Sequence, residues 1–200
     1  MMNKLLVVVL VASLVPAVFG ELAQNADFSA GLDSWSTWSS YTWSVPFAMN
    51  DPCTGDDLVR MCGWGYNNAS WGCTAVWQNT GATFQADTEY TLTVEWRDPS
   101  SAAEIVETVG LSLANVSTWA DVAADVYGPA SAEDVWQIAT LTFDTTSDPC
   151  LVGKGIGVGF RTTSGTLAWV DINSISLVPE PASMALLGLG SMLMLRRRKA

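Results

Sequence analysis

Period-two alternation of apolar and polar residues is the feature that most constrains the fold of this chain. It is clearest from Tyr90 to Trp96, where Tyr90, Leu92, Val94 and Trp96 share one face and Thr91, Thr93 and Glu95 share the other. Such alternation is typical of a strand with one buried face. Residues 41–47, 105–113, 135–143 and 156–160 repeat the pattern, and in the last of these glycines occupy every second position. The chain therefore predicts many short strands.

Turn signals separate these runs, among them Asp98-Pro99, Gly128-Pro129 and Asp148-Pro149. Only residues 118–127 hint at a helix inside the body. Several strands without a long amphipathic helix indicate an all-β protein, an antiparallel β-sandwich of the jelly-roll type. We expect its two sheets to pack about 10 Å apart.

The first 20 residues predict a signal peptide. Lys4 supplies the positive start, Leu5 to Val15 forms the apolar stretch, and Gly20 offers a small residue for cleavage before Glu21. Cleavage after Ala17 is the alternative. We therefore expect a signal helix at residues 1–20, an exported domain at 21–178 and a separate segment at 179–200.

That last segment contains Pro179-Glu180-Pro181, an uncharged apolar run from Ala182 to Leu195, and the basic block Arg196, Arg197, Arg198 and Lys199. The order closely resembles the PEP-CTERM sorting signal of bacterial surface proteins, the substrate signal of exosortase-type membrane proteases. The run predicts a helix of about 21 Å, which is short for a hydrocarbon core of about 30 Å. The resemblance implies transient membrane anchoring, processing by such a protease, and delivery to the cell surface or extracellular matrix. An ordinary C-terminal anchor is the alternative.

The charge of the predicted domain restricts its partners. Residues 21–178 contain 19 acidic and 4 basic residues, a formal charge of −15. Such a surface repels nucleic acid and anionic lipid and is compatible with neutral glycans, cations or basic partners. We expect no nucleic-acid partner.

Four cysteines, Cys53, Cys62, Cys73 and Cys150, are even in number in an exported domain and predict disulfides. Their pairing stays open. The repeated Asp-Pro-Cys sequences at 51–53 and 148–150 predict two similar turns. A zinc site is not indicated, because the chain has no histidine and no Cys-x2-Cys pair.

The two ends of the domain carry a second resemblance. Residues 24–35, with Asn25, Asp27-Phe28 and Gly31, and residues 169–177, with Trp169-Val-Asp171-Ile, are similar to the first and last strands of galactose-binding-like carbohydrate-binding modules. The resemblance implies that these segments lie side by side and share a structural calcium ion, with Asp27 and Asp171 as candidate ligands. Ser29 and Asn173 depart from the acidic residues usual in that family.

Tryptophan gives the strongest functional signal, since all ten lie within residues 35–169. Flat indole faces stack on the C–H faces of sugars. Trp35, Trp38, Trp64 and Trp71 lie among small polar residues typical of loops and are the candidate ligand contacts. Trp43, Trp77, Trp96, Trp136 and Trp169 lie in predicted strands, and we expect them in the core.

Catalysis has little support. Without histidine the Ser-His-Asp and Cys-His arrangements are excluded, and acidic pairs alone do not indicate a glycosidase. The sequence therefore predicts a non-catalytic module that binds exopolysaccharide. The alternatives are a structural matrix or adhesin protein without a discrete ligand and, less favoured, a glycoside hydrolase.

Overall fold

The computed structural model describes residues 21–39, 45–62, 74–99, 109–128, 134–162 and 169–181. Within them the regular structure is ten strands and one 3₁₀ helix. The predicted signal helix, the apolar run from Ala182 and the strand residues 41–44 and 105–108 lie outside the described residues. No helix in the described part is long and apolar enough to cross a membrane.

Two five-stranded antiparallel sheets form a β-sandwich, which confirms the predicted fold class. Sheet I has the order β1-β4-β9-β6-β7, and sheet II has the order β2-β3-β10-β5-β8. The strands of sheet I are β1 Ser36–Ser39, β4 Thr74–Thr83, β6 Val109–Asn115, β7 Ala120–Tyr127 and β9 Gly155–Thr162. Those of sheet II are β2 Phe47–Asn50, β3 Asp57–Cys62, β5 Thr88–Arg97, β8 Gln137–Asp144 and β10 Trp169–Pro181.

The alternation seen in the sequence places the core between the sheets. Tyr90, Leu92, Val94 and Trp96 of β5 are all buried, while the residues between them face outward. Val158 and Phe160 of β9 belong to the same core from sheet I. Burial of this apolar area is the main driving force for the fold.

Residues 118–127 are a correction to the sequence prediction. They form the end of a turn and then β7, which is an edge strand paired with β6 among the described strands, and not a helix. Its residues are mostly exposed or half-buried, so the weak apolar pattern reflects a lightly packed edge. Pairing with β6 provides the backbone hydrogen bonds that helix formation would otherwise have supplied.

An ion-pair network lies on the outer face of sheet II. The register aligns Arg60, Asp171 and Arg97 on three adjacent strands. Asp171 is fully buried, and its carboxylate accepts from Arg60 Nε at 2.6 Å and from Arg97 Nη2 at 3.1 Å. The hydrogen bond to Asp171 raises the pKa of Arg60. Trp136 covers Arg97, whose guanidinium carbon lies 4.5 Å from the ring centre.

The network continues to the buried Asp51. Its Oδ2 lies 2.9 Å from Arg97 Nη2 as an ion pair without hydrogen-bond geometry, and its Oδ1 accepts from the Cys53 N–H at 2.7 Å. That backbone hydrogen bond, together with Arg97, lowers the pKa of Asp51, although burial opposes the shift.

Replacing Asp171 with Asn should lower the free energy of unfolding by about 3 kcal/mol, because Arg60 loses its counter-charge and Arg97 keeps only Asp51 as an ion-pair partner in a largely buried site. Urea unfolding of the two proteins measures it. Asp121→Asn is the matched control, since Asp121 forms a more exposed ion pair with Arg161 and should cost less than about 1 kcal/mol. Equal losses would contradict the buried network.

Acid should weaken the fold in part through Asp51. A folded-state pKa below the unfolded one stabilises the protein above the unfolded pKa, and this stabilisation is lost as pH falls through the folded pKa. Unfolding free energies measured from pH 7 to pH 2 should therefore fall less steeply at the acid end in Asp51→Asn than in the wild type. Parallel profiles would show that Asp51 does not contribute.

Candidate functional site: an aromatic groove on sheet I

The outer face of sheet I carries a groove of about 620 Å³. It crosses the sheet from β1, which contributes Trp38, to the turn between β6 and β7, which contributes Trp119. Trp77 of β4 and Arg161 of β9 line it between these ends. Three tryptophans thus share one concave surface.

The floor of the groove is flat because β9 has glycine at alternate positions. Ile156, Val158 and Phe160 face the core, while Gly157 and Gly159 face outward. Gly159 lies opposite Trp77 on one side and Ser112 on the other. A Cβ at Gly159 would approach Ser112 Oγ to 2.9 Å, so a side chain there would crowd the floor.

Trp119 is held over this floor by a strained turn. Its backbone has φ +52°, a left-handed conformation that is unfavourable for a bulky residue. The turn is fixed by Asn115, whose carbonyl accepts from Trp119 N at 2.7 Å and whose side chain accepts from Ser117 N at 3.1 Å. A Cβ at Gly157 would lie 2.9 Å from the Trp119 ring, so the glycine makes room for the indole. Strained backbone conformations often occur at functional sites.

The tryptophans form a corner. Trp77 and Trp119 have ring centres 4.3 Å apart and an interplanar angle of 69°. Trp38 lies opposite Ala75, two residues along β4 from Trp77. All three side chains are half-buried. In this arrangement the edge of one indole ring packs against the other ring. Other parts of the indole surface stay open to the groove.

A charged pair completes the polar side of the groove. Arg161 Nη1 lies 3.4 Å from Asp121 Oδ2, and both residues line the groove. Arg161 is one of four basic residues in segment 21–178. With Ser112 these groups offer donors and acceptors beside aromatic faces, which is the combination that binds a sugar through stacking and hydroxyl hydrogen bonds.

Of the four tryptophans predicted to contact a ligand, one lines the groove, one is buried in the core, and two lie outside the described residues. Trp38 lines the groove. Trp35 is corrected: it is buried in the core, its ring centre lies 5.5 Å from that of Phe28, and its Nε1 donates to the Asn25 carbonyl at 3.1 Å. Trp64 and Trp71 lie outside the described residues, so their role stays a prediction.

Trp77 and Trp119 are the groove residues that the sequence analysis missed. Trp77 was expected in the core because it lies in a strand, yet it belongs to the outward face of β4. The bare face of β9 was the available signal, since glycines at alternate positions leave space above the sheet.

Trp169, also expected in the core, is 40% exposed on sheet II and packs edge-on against Phe47. Trp96 is buried as expected.

The candidate calcium ligands have other partners. Both Asp171 oxygens bind guanidinium groups, and the exposed Asp27 accepts hydrogen bonds from the N–H and hydroxyl of Ser29, which lower its pKa. The described residues hold no cluster of three or more potential metal-binding side chains. The first and last segments do lie side by side, because Ile175 N donates to Ala26 O at 2.8 Å. Calcium binding stays a prediction.

The two cysteines whose side chains are described, Cys53 and Cys150, are exposed free thiols. Neither forms a disulfide in the described structure, and the disulfides expected from the four cysteines stay a prediction. Both occupy the similar turns that Asp-Pro-Cys predicted: Asp51 accepts from Cys53 N at 2.7 Å and Asp148 accepts from Cys150 N at 3.2 Å. The Cys62 side chain and Cys73 are not described.

The Pro-Glu-Pro triplet lies in strand β10. Pro179 is buried, Glu180 is exposed, and Pro181 is the last residue of the strand. The triplet is therefore extended, and its first proline is covered by the packed sandwich. Arg196, Arg197 and Arg198 lie outside the described residues.

Comparison with solved structures identifies the fold. A cyclase from Fischerella sp. TAU superposes with a TM-score of 0.63 at 18% identity, covering 81% of this chain and 98% of the cyclase. The carbohydrate-binding module CBM4 gives a TM-score of 0.55 at 14% identity, covering 78% of this chain and 99% of the module. The xylan-binding module CBM15 gives 0.51 at 12% identity, covering 74% of this chain and 92% of the module. At these identities the likeness shows a shared fold.

By sequence, no curated protein matches the chain. Its C-terminal residues 177–199 match the family model described as the PEP-CTERM protein-sorting motif. The match begins inside β10 and includes the apolar run and the basic block. The chain therefore combines a β-sandwich of the kind found in carbohydrate-binding modules with a C-terminal PEP-CTERM sorting motif.

Proposed function

We propose that this protein is a non-catalytic module that an exosortase-type protease processes at the membrane, and that binds polysaccharide outside the cell through the groove on sheet I. The observation that carries the binding proposal is the set of Trp38, Trp77 and Trp119 around a floor that includes Gly159. Aromatic faces beside an open floor give the C–H face of a sugar ring a surface to stack on.

The dimensions of the groove favour a chain of sugars over a single sugar. It reaches from β1 across β4, β9 and β6 to the turn before β7. Neighbouring strands lie about 4.8 Å apart, so the groove crosses roughly 14 Å of sheet before that turn. A surface of this length offers contacts to consecutive sugar units.

The charge favours a neutral polysaccharide. The formal charge of segment 21–178 is −15, and such a field repels an acidic polymer. Arg161 adds a local positive group, but Asp121 lies beside it at 3.4 Å. Sugar hydroxyls can hydrogen-bond to both members of this pair without either giving up its charge.

The described lining of the groove does not contain the pair of carboxylates typical of glycoside hydrolases. Among the described lining residues Asp121 is the single carboxylate, whereas glycoside hydrolysis normally uses two. CBM4 and CBM15 are carbohydrate-binding modules with the same fold, so a binding function has a precedent in it. The Fischerella cyclase has this fold too, so the fold also occurs in enzymes. The groove residues, and not the fold, favour binding.

Trp77→Ala and Trp119→Ala should each weaken binding to a soluble neutral polysaccharide by about tenfold or more, since each removes an aromatic face worth on the order of 1–2 kcal/mol. Affinity electrophoresis against xylan, β-glucan and mannan, with an acidic polysaccharide as the charge control, measures the change. Trp169→Ala is the matched variant, because it removes an exposed tryptophan from the opposite sheet and should leave binding unchanged.

Two results would overturn the binding proposal. Equal losses in Trp77→Ala and Trp169→Ala would show that the groove is not the site. A folded wild-type protein that retains no affinity for any neutral polysaccharide would favour the alternative, a structural matrix protein without a discrete ligand.

The sorting proposal has its own test. Replacing Pro179, Glu180 and Pro181 with alanine in the full chain should leave an unprocessed form in the membrane fraction of cells that contain an exosortase-type protease. Immunoblotting of membrane and culture fractions measures the ratio. Normal processing of the alanine variant would reduce the C-terminal segment to an ordinary anchor.

A further inference from the structure

The sorting triplet is part of a paired strand. β10 pairs with β5 without interruption from Ser174 to Pro181. Pro179 lies opposite Tyr90, and Glu180 lies opposite Glu89. Pro179 and Tyr90 are both buried, so the first proline of the motif belongs to the packed sandwich.

The spacing of the prolines explains how a Pro-Glu-Pro sequence can end a strand. Ile175 N donates to Ala26 O at 2.8 Å and Leu177 N donates to Glu21 Oε1 at 2.7 Å, so both N–H groups point away from β5. With a period of two, positions 179 and 181 point the same way. Proline has no N–H to leave unpaired at this edge, and the Glu180 backbone faces β5.

No spacer separates the strand from the apolar segment. β10 ends at Pro181, and the uncharged run begins at Ala182. A protease at the membrane needs an extended stretch of substrate free of the folded domain. Each residue released from the strand supplies about 3.3 Å of chain, so freeing the triplet provides about 10 Å.

The end of β10 is weakly held on its outer face. Glu180, Glu89 and Asp144 lie directly opposite one another on β10, β5 and β8, and all three are exposed. Like charges directly opposite on adjacent strands destabilise the pairing. The ion pairs found among the described residues involve Arg60, Arg97 and Arg161 and lie elsewhere.

From this geometry we infer that the sandwich itself controls its sorting: the folded domain holds the Pro-Glu-Pro triplet against β5, and the membrane protease processes the chain only after the last residues of β10 separate from β5. The inference rests on the proposed sorting. The row of three carboxylates keeps this separation accessible in an otherwise stable sheet, in keeping with local opening at strand ends.

Glu89→Lys tests the inference, because it places a positive charge between Glu180 and Asp144 and so strengthens the pairing. In a pulse-chase of the full chain in cells with an exosortase-type protease, conversion to the processed form should slow about three- to tenfold. Thr140→Lys adds the same charge on the outer face of β8, opposite Thr93 and away from the triplet, and should process at the wild-type rate.

A second variant separates pairing from other effects of the lysine. Inserting Gly-Ser-Gly-Ser between Val178 and Pro179 lets the inserted residues occupy the end of the strand and moves the triplet beyond β5. This chain should process at least as fast as wild type, and in it Glu89→Lys should no longer slow processing.

The outcomes distinguish the two proposals. An unprocessed wild-type chain overturns the sorting proposal and this inference with it. A processed wild type with an unchanged rate in Glu89→Lys, a slowing that persists after the insertion, or an insertion that itself blocks processing overturns the inference and leaves the sorting proposal standing.

Discussion

Strand β9 carries the constraint on which the rest of the structure depends. Its large residues Ile156, Val158 and Phe160 close the core, while Gly157 makes room on the outer face for the Trp119 ring and Gly159 lines the groove. One strand in the middle of sheet I therefore provides both the packing that holds the two sheets together and the floor of the groove. Larger residues at the glycine positions would fill the space that Trp119 and Trp77 now border.

The difference between the two faces of a strand also explains which buried and exposed residues the sequence predicted and which it did not. Alternation in β5 fixed which residues are buried, and Trp96 followed that rule. The expectation that tryptophans in loops bind ligand and tryptophans in strands pack in the core fails for Trp35 and Trp77. A turn near the N-terminus folds Trp35 into the core, and β4 places Trp77 on its outer face. Which face of a strand meets the other sheet depends on long-range pairing, and sequence periodicity alone does not show it.

The two ends of the described chain meet on β10. The Glu21 carboxylate accepts from Leu177 N at 2.7 Å, and Leu22 N donates to Leu177 O at 2.9 Å. The residues expected to follow signal-peptide removal thus lie beside the strand that contains the start of the sorting motif. The N-terminal segment and the start of the sorting motif therefore meet at one strand of sheet II, whereas the groove lies on sheet I.

The most direct test of the binding proposal is a two-dimensional ¹⁵N NMR spectrum of the tryptophan indole N–H groups, recorded with and without a soluble neutral xylan or β-glucan oligomer. We expect the signals of Trp38, Trp77 and Trp119 to shift in a saturable manner, while those of the buried Trp35 and Trp96 and of Trp169 on sheet II stay in place. Shifts centred on Trp169, or none in the groove with any neutral oligomer, would contradict it.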